Sequence, residues 1–317
     1  MKMLKMHASL KAVALCLFAL TLMLQPASSH AQTTTKTDSH TNWTWQDGDW
    51  KKSLEIRGRV EFTDDYTDIR SVSEGGSVRI EETQGGTTRR LDVAQDAGGQ
   101  LRRSYYVDGQ QRPMNEQDRA WVARMILDAV RQSAIDADKR VQRIFERRGL
   151  SGVLEEISLL RGDYSRRIYF GALVKNGNLD GSALQTVLRE SARQISSDYE
   201  QAQLLISIAE LSAGRGQLLP AFFEATDTIK SDYEHRRVLS AVLKRRGLGH
   251  EVMGRLLESA ARISSDYEKA TLLLEASGAY GGDARLRDAF LRTVETIKSD
   301  YERGRVLSAM LKNKQMD

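Results

Sequence analysis

The sequence predicts an α+β protein: a small antiparallel β-meander with a covering helix, followed by an all-α helix-turn-helix solenoid of 34-residue repeats. Three observations carry this. Apolar and polar residues alternate with period two from Ser53 to Phe62 and in shorter runs as far as Val107, with glycine-containing turns between the runs. Helical spacing of apolar residues takes over after Asn115. Further on the chain repeats itself, and Asp198, Asp232, Asp266 and Asp300 stand 34 residues apart in near-identical contexts.

The elements follow in chain order. Lys2, Lys5 and Lys11 accompany an apolar run from Ala12 to Leu24, and Ser29-His30-Ala31 offers small residues at a cleavage site. Residues 1–31 are therefore predicted to be a secretory signal peptide, with an uncleaved anchor as the alternative. The run is short of the roughly 20 residues that span a bilayer. Cleavage after Ala31 removes three of the 47 basic residues and none of the 43 acidic ones, so the formal charge falls from +4 to +1. It also removes Cys16, the only cysteine, and with it disulfide and thiolate chemistry. A mature chain so close to neutral lacks the basic footprint that nucleic-acid binding requires. The expectation is an exported protein, periplasmic or secreted, with no membrane span once the signal is cleaved. Residues 32–42 are Thr-rich and polar and are predicted to be a disordered leader.

Residues 43–133 are predicted to form the first domain. Leu54, Ile56, Gly58, Val60 and Phe62 share one parity and Glu55, Arg57, Arg59 and Glu61 the other, which reads as one long half-buried strand. Val78 and Ile80, Leu91 and Val93, and Tyr105 and Val107 mark further strands, four or five in all. Gly75-Gly76, Gly85-Gly86, Gly98-Gly99 and Asp108-Gly109 supply the turns. Asn115, Glu116 and Asp118 open a helix whose stripe of Trp121, Val122, Met125, Ile126, Ala129 and Val130 can cover the sheet. Trp43, Trp45 and Trp50 cluster at the domain's start, either packed on the sheet or presented as a stacking platform.

Residues 134–317 are predicted to be the solenoid. Ile195-Ser-Ser-Asp-Tyr-Glu200 returns at Ile229–Glu234, Ile263–Glu268 and Ile297–Glu302, and Asp163-Tyr164 is an earlier copy. A decayed unit is expected near 134–162, where Arg147-Arg148-Gly149-Leu150 echoes Arg245-Arg246-Gly247-Leu248. Each Ser-x-x-Glu reads as a capping box, with Asp favoured at the positive end of the helix dipole. Leu188, Phe222, Leu256 and Phe290 take equivalent core positions on the second helices, and turns fall at Gly214–Gly216, Gly247–Gly249 and Gly281-Gly282. Alternate units match best, giving a longer period of 68, and the last helix with Lys312 and Lys314 reads as a polar end cap. Such units cannot stand alone and must stack.

The two-helix layout resembles tetratricopeptide and HEAT-type α-solenoids, although the Trp, Leu-Gly, Tyr and Pro pattern of the former is not met. The S-D-Y-E repeats and Gly58-Arg-Val-Glu-Phe-Thr-Asp-Asp65 with Ile69 and Ser71 resemble the extracytoplasmic repeat regions of β-lactam-sensor-type bacterial membrane metallopeptidases and bacterial exported α-solenoid repeat proteins. The peptidase domain that carries zinc in that family is not matched. The resemblance implies an envelope-facing sensor or binding part without the enzyme.

No catalytic, cofactor or metal constellation emerges. His250-Glu251 begins like a zinc-protease helix, but Gly254 stands where the second His is needed. The pairs Asp64-Asp65 and Glu155-Glu156 read as solvated. Two side-chain series remain as candidate partner contacts. Tyr164, Tyr199, Tyr233, Tyr267 and Tyr301 could line a groove or, on the preferred reading, wedge between layers. Arg166, Arg167, Arg236, Arg237, Arg303 and Arg305 occur in alternate layers and could form a positive stripe or a solvated face. The expected function is that of a non-catalytic interaction, sensor or scaffold protein binding a protein or peptide partner in the bacterial envelope. The alternatives are a hydrolase of an envelope polymer using carboxylates between sheet and solenoid, and a regulatory partner of a membrane peptidase.

Overall fold

A computed structural model describes residues 31–37, 40–211, 220–245, 248–277 and 284–314. Most of the expected signal peptide and the turns at Gly214–Gly216, Gly247 and Gly281-Gly282 lie outside the described residues. No helix among the described residues is long and apolar enough to cross a membrane.

The first half is a meander of nine strands: β1 (Ala31–Thr37), β2 (His40–Asp47), β3 (Trp50–Arg57), β4 (Val60–Phe62), β5 (Ile69–Val72), β6 (Ser77–Gln84), β7 (Thr87–Gln95), β8 (Leu101–Val107) and β9 (Gln110–Gln111). Seven of them form one antiparallel sheet in the order β1-β2-β3-β6-β7-β8-β9, and β4 pairs with β5 in a separate hairpin. The sheet is thus larger than the four or five strands expected. The leader expected to be disordered over 32–42 is one source of the difference: residues 31–37 pair as a strand with His40–Gln46 of β2, and 40–42 belong to β2 itself. Their Thr content, read as low complexity, is also β-branched and suits a pleated strand.

The single long strand expected over Ser53–Phe62 is two. Gly58 breaks it with φ +72°, and a Cβ there would collide with the Ser73 hydroxyl. Only glycine permits that turn, which lifts β4 and β5 off the main sheet. The other turns behave as their residues dictate. Gly85-Gly86 and Asp108-Gly109 hold positive φ at both central positions, as tight hairpins need.

The register aligns one apolar row across five strands: Trp43, Leu54, Ile80, Leu91 and Tyr105 stand opposite one another in turn. Helix α1 (Glu116–Ser133) covers this row. Asn115 caps it with a complete capping box to Asp118, and Trp121, Met125, Ile126, Ala129 and Val130 are buried against the sheet. Trp43 and Trp45 belong to the same core, so packing rather than presentation explains them.

The second half is two parallel rows of helices. One row holds α3 (Asp163–Asn176), α5 (Asp198–Leu211), α7 (Asp232–Leu243), α9 (Asp266–Ala276) and α11 (Asp300–Lys314). The other holds α4 (Gly181–Gln194), α6 (Pro220–Thr226), α8 (His250–Ala260) and α10 (Ala284–Glu295). Neighbours within each row pack on one another, as stacked layers require. Leu188, Phe222, Leu256 and Phe290 are all buried between the rows. The preceding α2 (Ala137–Ser158) is bent at Gly149, which sits at φ 63°, ψ −162°, a conformation outside the helical region. Its two arms are the decayed unit. The last helix, α11, exposes Lys312 as expected of an end cap, but Leu307 and Leu311 are exposed as well, so its surface is not wholly polar.

Candidate functional site

The repeated Ser-Asp-Tyr-Glu motif begins α5, α7, α9 and α11, while α3 keeps only its Asp-Tyr pair after Gly162, and the geometry explains each residue of the motif. The Asp does more than favour the dipole. Asp163 accepts hydrogen bonds from the backbone N–H of Ser196 and Ser197, 2.9 and 2.8 Å away in the next layer. Asp198 takes those of Lys230 and Ser231, Asp232 those of Ser264 and Ser265, and Asp266 those of Lys298 and Ser299. Each carboxylate therefore ties one layer to the next by two charge-assisted bonds.

This changes the capping box. The Ser hydroxyl does accept from the N–H of the Glu three residues on, at 3.3–3.4 Å. The Ser N–H, however, is already taken by the preceding layer's Asp, so the Glu is free to pair with arginine. Glu200 and Glu268 reach across a layer, to Arg167 and Arg236. Glu234 and Glu302 pair within their own helix, with Arg237 and Arg305 at 2.7 and 2.6 Å. The 68-residue period is this alternation of crosswise and local ion pairs.

With the Asp aimed along the stack, the adjacent Tyr faces outward. Tyr164, Tyr199, Tyr233, Tyr267 and Tyr301 are 38, 54, 52, 59 and 74% exposed. The expectation that they wedge between layers fails, because all five rings stand well out in water, while Leu205, Leu239 and Leu273 of the same helices are the residues buried in the core. The structure instead places one exposed phenol per layer on the five helices of the first row.

The arginines do not form a bare positive stripe. Arg166 pairs with Asp163 at 2.9 Å and donates to the Gln194 carbonyl. Arg167, Arg236, Arg237 and Arg305 hold the glutamates named above, and Arg303 donates to the Ile297 carbonyl and lies 3.4 Å from Asp300. Several stack beside the tyrosines: the guanidinium carbons of Arg167, Arg236 and Arg305 lie 5.2, 5.3 and 6.0 Å from the rings of Tyr164, Tyr233 and Tyr301. Such contacts orient the rings without supplying free charge.

Where sheet meets solenoid the carboxylates are paired. Asp128 on α1 binds Lys52 at 2.9 Å and also Arg161. Glu156 on α2 holds Arg131 and Arg140 at 2.7 and 2.8 Å. Burial opposes ionisation of both, but the flanking cations outweigh it and hold each carboxyl below its ordinary value. Glu156 is thus buried and ion-paired rather than solvated. Asp65 is fixed by hydrogen bonds from Thr63 and Thr67 that hold its carboxyl at about 2. Carboxylates held ionised in this way are poor proton donors at neutral pH. His235 is buried, 2.8 Å from the Ser259 hydroxyl, and no group of three or more metal-ligating side chains gathers among the described residues.

A further cluster escaped sequence reasoning. Lys52 and Glu82 occupy inward positions of β3 and β6, at 6 and 8% exposure, beneath α1. Strand parity is the signal that exposes them, since Lys52 shares a face with Leu54 and Ile56, and Glu82 with Val78 and Ile80. Comparison with protein-family models, curated proteins and solved structures returns no match.

Proposed function

We propose that this is an exported, non-catalytic interaction or scaffold protein of the bacterial envelope that binds a protein or peptide partner along its tyrosine column. One observation carries the reading. The same position in five layers holds a large, rigid, amphipathic side chain that the fold leaves largely in water. Packing does not account for it, whereas tyrosine is among the side chains that dominate binding interfaces. Spacing by one layer suits an extended or repetitive partner that meets a ring at each step. The ion-paired carboxylates between sheet and solenoid favour binding over hydrolysis, and the Lys-led apolar segment at the N-terminus supports export.

The test is a triple variant, Tyr199→Ala/Tyr233→Ala/Tyr267→Ala. Exposed rings removed from three layers leave the thermal midpoint close to wild type. Immobilised wild type and variant are compared for proteins captured from an envelope extract, followed by affinity measurement with the purified partner. Loss of the captured partner from the variant is the expected result. Equal retention and equal affinity by both proteins would overturn the assignment.

A further inference from the structure

The sheet carries a second site, independent of the tyrosine column. Lys52, Glu82 and Arg89 stand side by side on β3, β6 and β7, paired directly in register. Two residues further along the same face lie Leu54, Ile80 and Leu91, all in the core. Charges in such a position need partners. Lys52 finds Asp128 at 2.9 Å and Glu82 at 3.9 Å. Glu82 accepts from the indole N–H of Trp50 through one oxygen and from that of Trp121 through the other, at 2.9 and 2.6 Å. Asp128 is completed by Arg161. Two cations, Lys52 and Arg161, thus balance two carboxylates.

Arg89 and Arg124 then stand outside this balance. Neither has an acidic partner among the described residues, although acidic side chains are plentiful elsewhere on the surface. Both line one cavity of about 430 Å³, whose floor is Lys52 and Glu82 and whose wall is the half-buried Trp50. Its size lies within the roughly 300–1,000 Å³ of small-molecule pockets. Two unneutralised guanidiniums beside an indole form a defined chemistry. A guanidinium offers a planar fork that matches a carboxylate, and the indole offers a flat apolar surface.

We propose that this cavity binds a small organic carboxylate, its charge clamped by Arg89 and Arg124 and its ring or apolar face laid against Trp50. The buried set beneath preorganises the site. Glu82 fixes the Trp50 indole through its N–H, and Lys52 stands 4.2 Å from the ring centre. Gln84 and Thr87 at the rim add polar groups for hydroxyl substituents.

The experiment uses the full chain and its own tryptophans as reporters. D-glucuronate and benzoate are the carboxylate probes, and D-glucose and benzyl alcohol are their neutral counterparts. Inorganic phosphate tests charge alone. Binding is followed by tryptophan emission and by titration calorimetry. Saturable binding of at least one carboxylate is expected, at least tenfold tighter than its neutral counterpart and than phosphate. Arg89→Gln and Arg124→Gln each weaken it at least tenfold, while Arg189→Gln, on the solenoid, leaves it unchanged. Neither Arg89 nor Arg124 has an ion pair to lose among the described residues, so circular dichroism and the thermal midpoint should match wild type and exclude misfolding as the cause. The proposal is overturned if neither carboxylate binds, if a neutral probe or phosphate binds as tightly, or if the arginine variants bind like wild type.

Discussion

A single Asp position decides how layers join. In four layers its carboxylate spans the gap to two backbone N–H groups, while Asp300, with no described layer beyond it, has a side chain that is 96% exposed. Asp232→Ala should therefore remove two bonds at once and cost about 1–3 kcal/mol in urea unfolding, given the usual worth of hydrogen bonds to charged groups. Asp300→Ala should leave the urea midpoint where it was, and equal losses at both sites would show that the ladder contributes nothing. The same bonds set an acid limit. The N–H groups of Lys298 and Ser299 hold the Asp266 carboxyl below its ordinary value, so its contribution is complete above pH 4 and declines as pH falls towards the lowered value. His235 begins to act earlier. Burial holds its imidazole below the usual 6.5, although Asp227 and Asp232 favour the charged form and Arg262 opposes it. The unfolded chain therefore gains a proton first, and stability drops as pH falls below 6.5. His235→Gln should flatten the urea midpoint between pH 7 and pH 5; a slope unchanged from wild type would place the titrating group elsewhere.

At the scale of elements, glycine marks where periodicity stops being a guide. Apolar spacing alone does not divide α2, but the Arg147-Arg148-Gly149-Leu150 echo of Arg245-Arg246-Gly247-Leu248 marks the place, and Gly149 lies at positive φ there and splits the helix into two arms. Gly149→Ala should cost about 1–3 kcal/mol, because a side chain there is strained whatever the space around it. Gly171, inside α3 with open space at its Cβ, is the counter-case. Gly171→Ala should raise stability by about 0.5–1 kcal/mol through helix propensity alone, and thermal melts of the two variants should move in opposite directions. Much of this layer of structure was legible: alternation, hairpin glycines, the Asn115 cap and the repeat all follow from local spacing. The candidate site was legible only in part. Repeat arithmetic placed the five tyrosines at one position but not on the outside, because that depended on where the neighbouring Asp aims. Strand parity was the signal available for Lys52 and Glu82 and it went unused; their partners Asp128 and Arg161 come from other elements, and periodicity names a face without naming what covers it.

For the whole molecule the question is whether sheet and solenoid unfold together. The buried apolar residues form two clusters, one ending at Val130 and the other starting at Ala137, so the connection between them is largely polar. The Tyr66 hydroxyl donates to Asp136 at 2.8 Å, Gln132 accepts from the Arg161 N–H at 2.9 Å, and Glu156 draws together Arg131 of α1 and Arg140 of α2. Glu156 is the member whose loss leaves most behind. A neutral side chain there strands two arginines, of which Arg140 is buried, and such a break costs about 3–5 kcal/mol. All four tryptophans lie on the sheet side, at Trp43, Trp45, Trp50 and Trp121, whereas most helix lies in the solenoid. Tryptophan emission and ellipticity at 222 nm therefore report the two halves separately. In wild type the two signals should fall in one transition, because the joint couples the halves. In Glu156→Gln they should separate, and in wild type the same separation should emerge in acid. Above pH 4.5 the carboxylate is ionised and the joint is complete. It weakens as pH falls towards the value that Arg131 and Arg140 have lowered against the opposing effect of burial. Coincident transitions in the variant, at an unchanged midpoint, would show that the halves are coupled by something other than this joint.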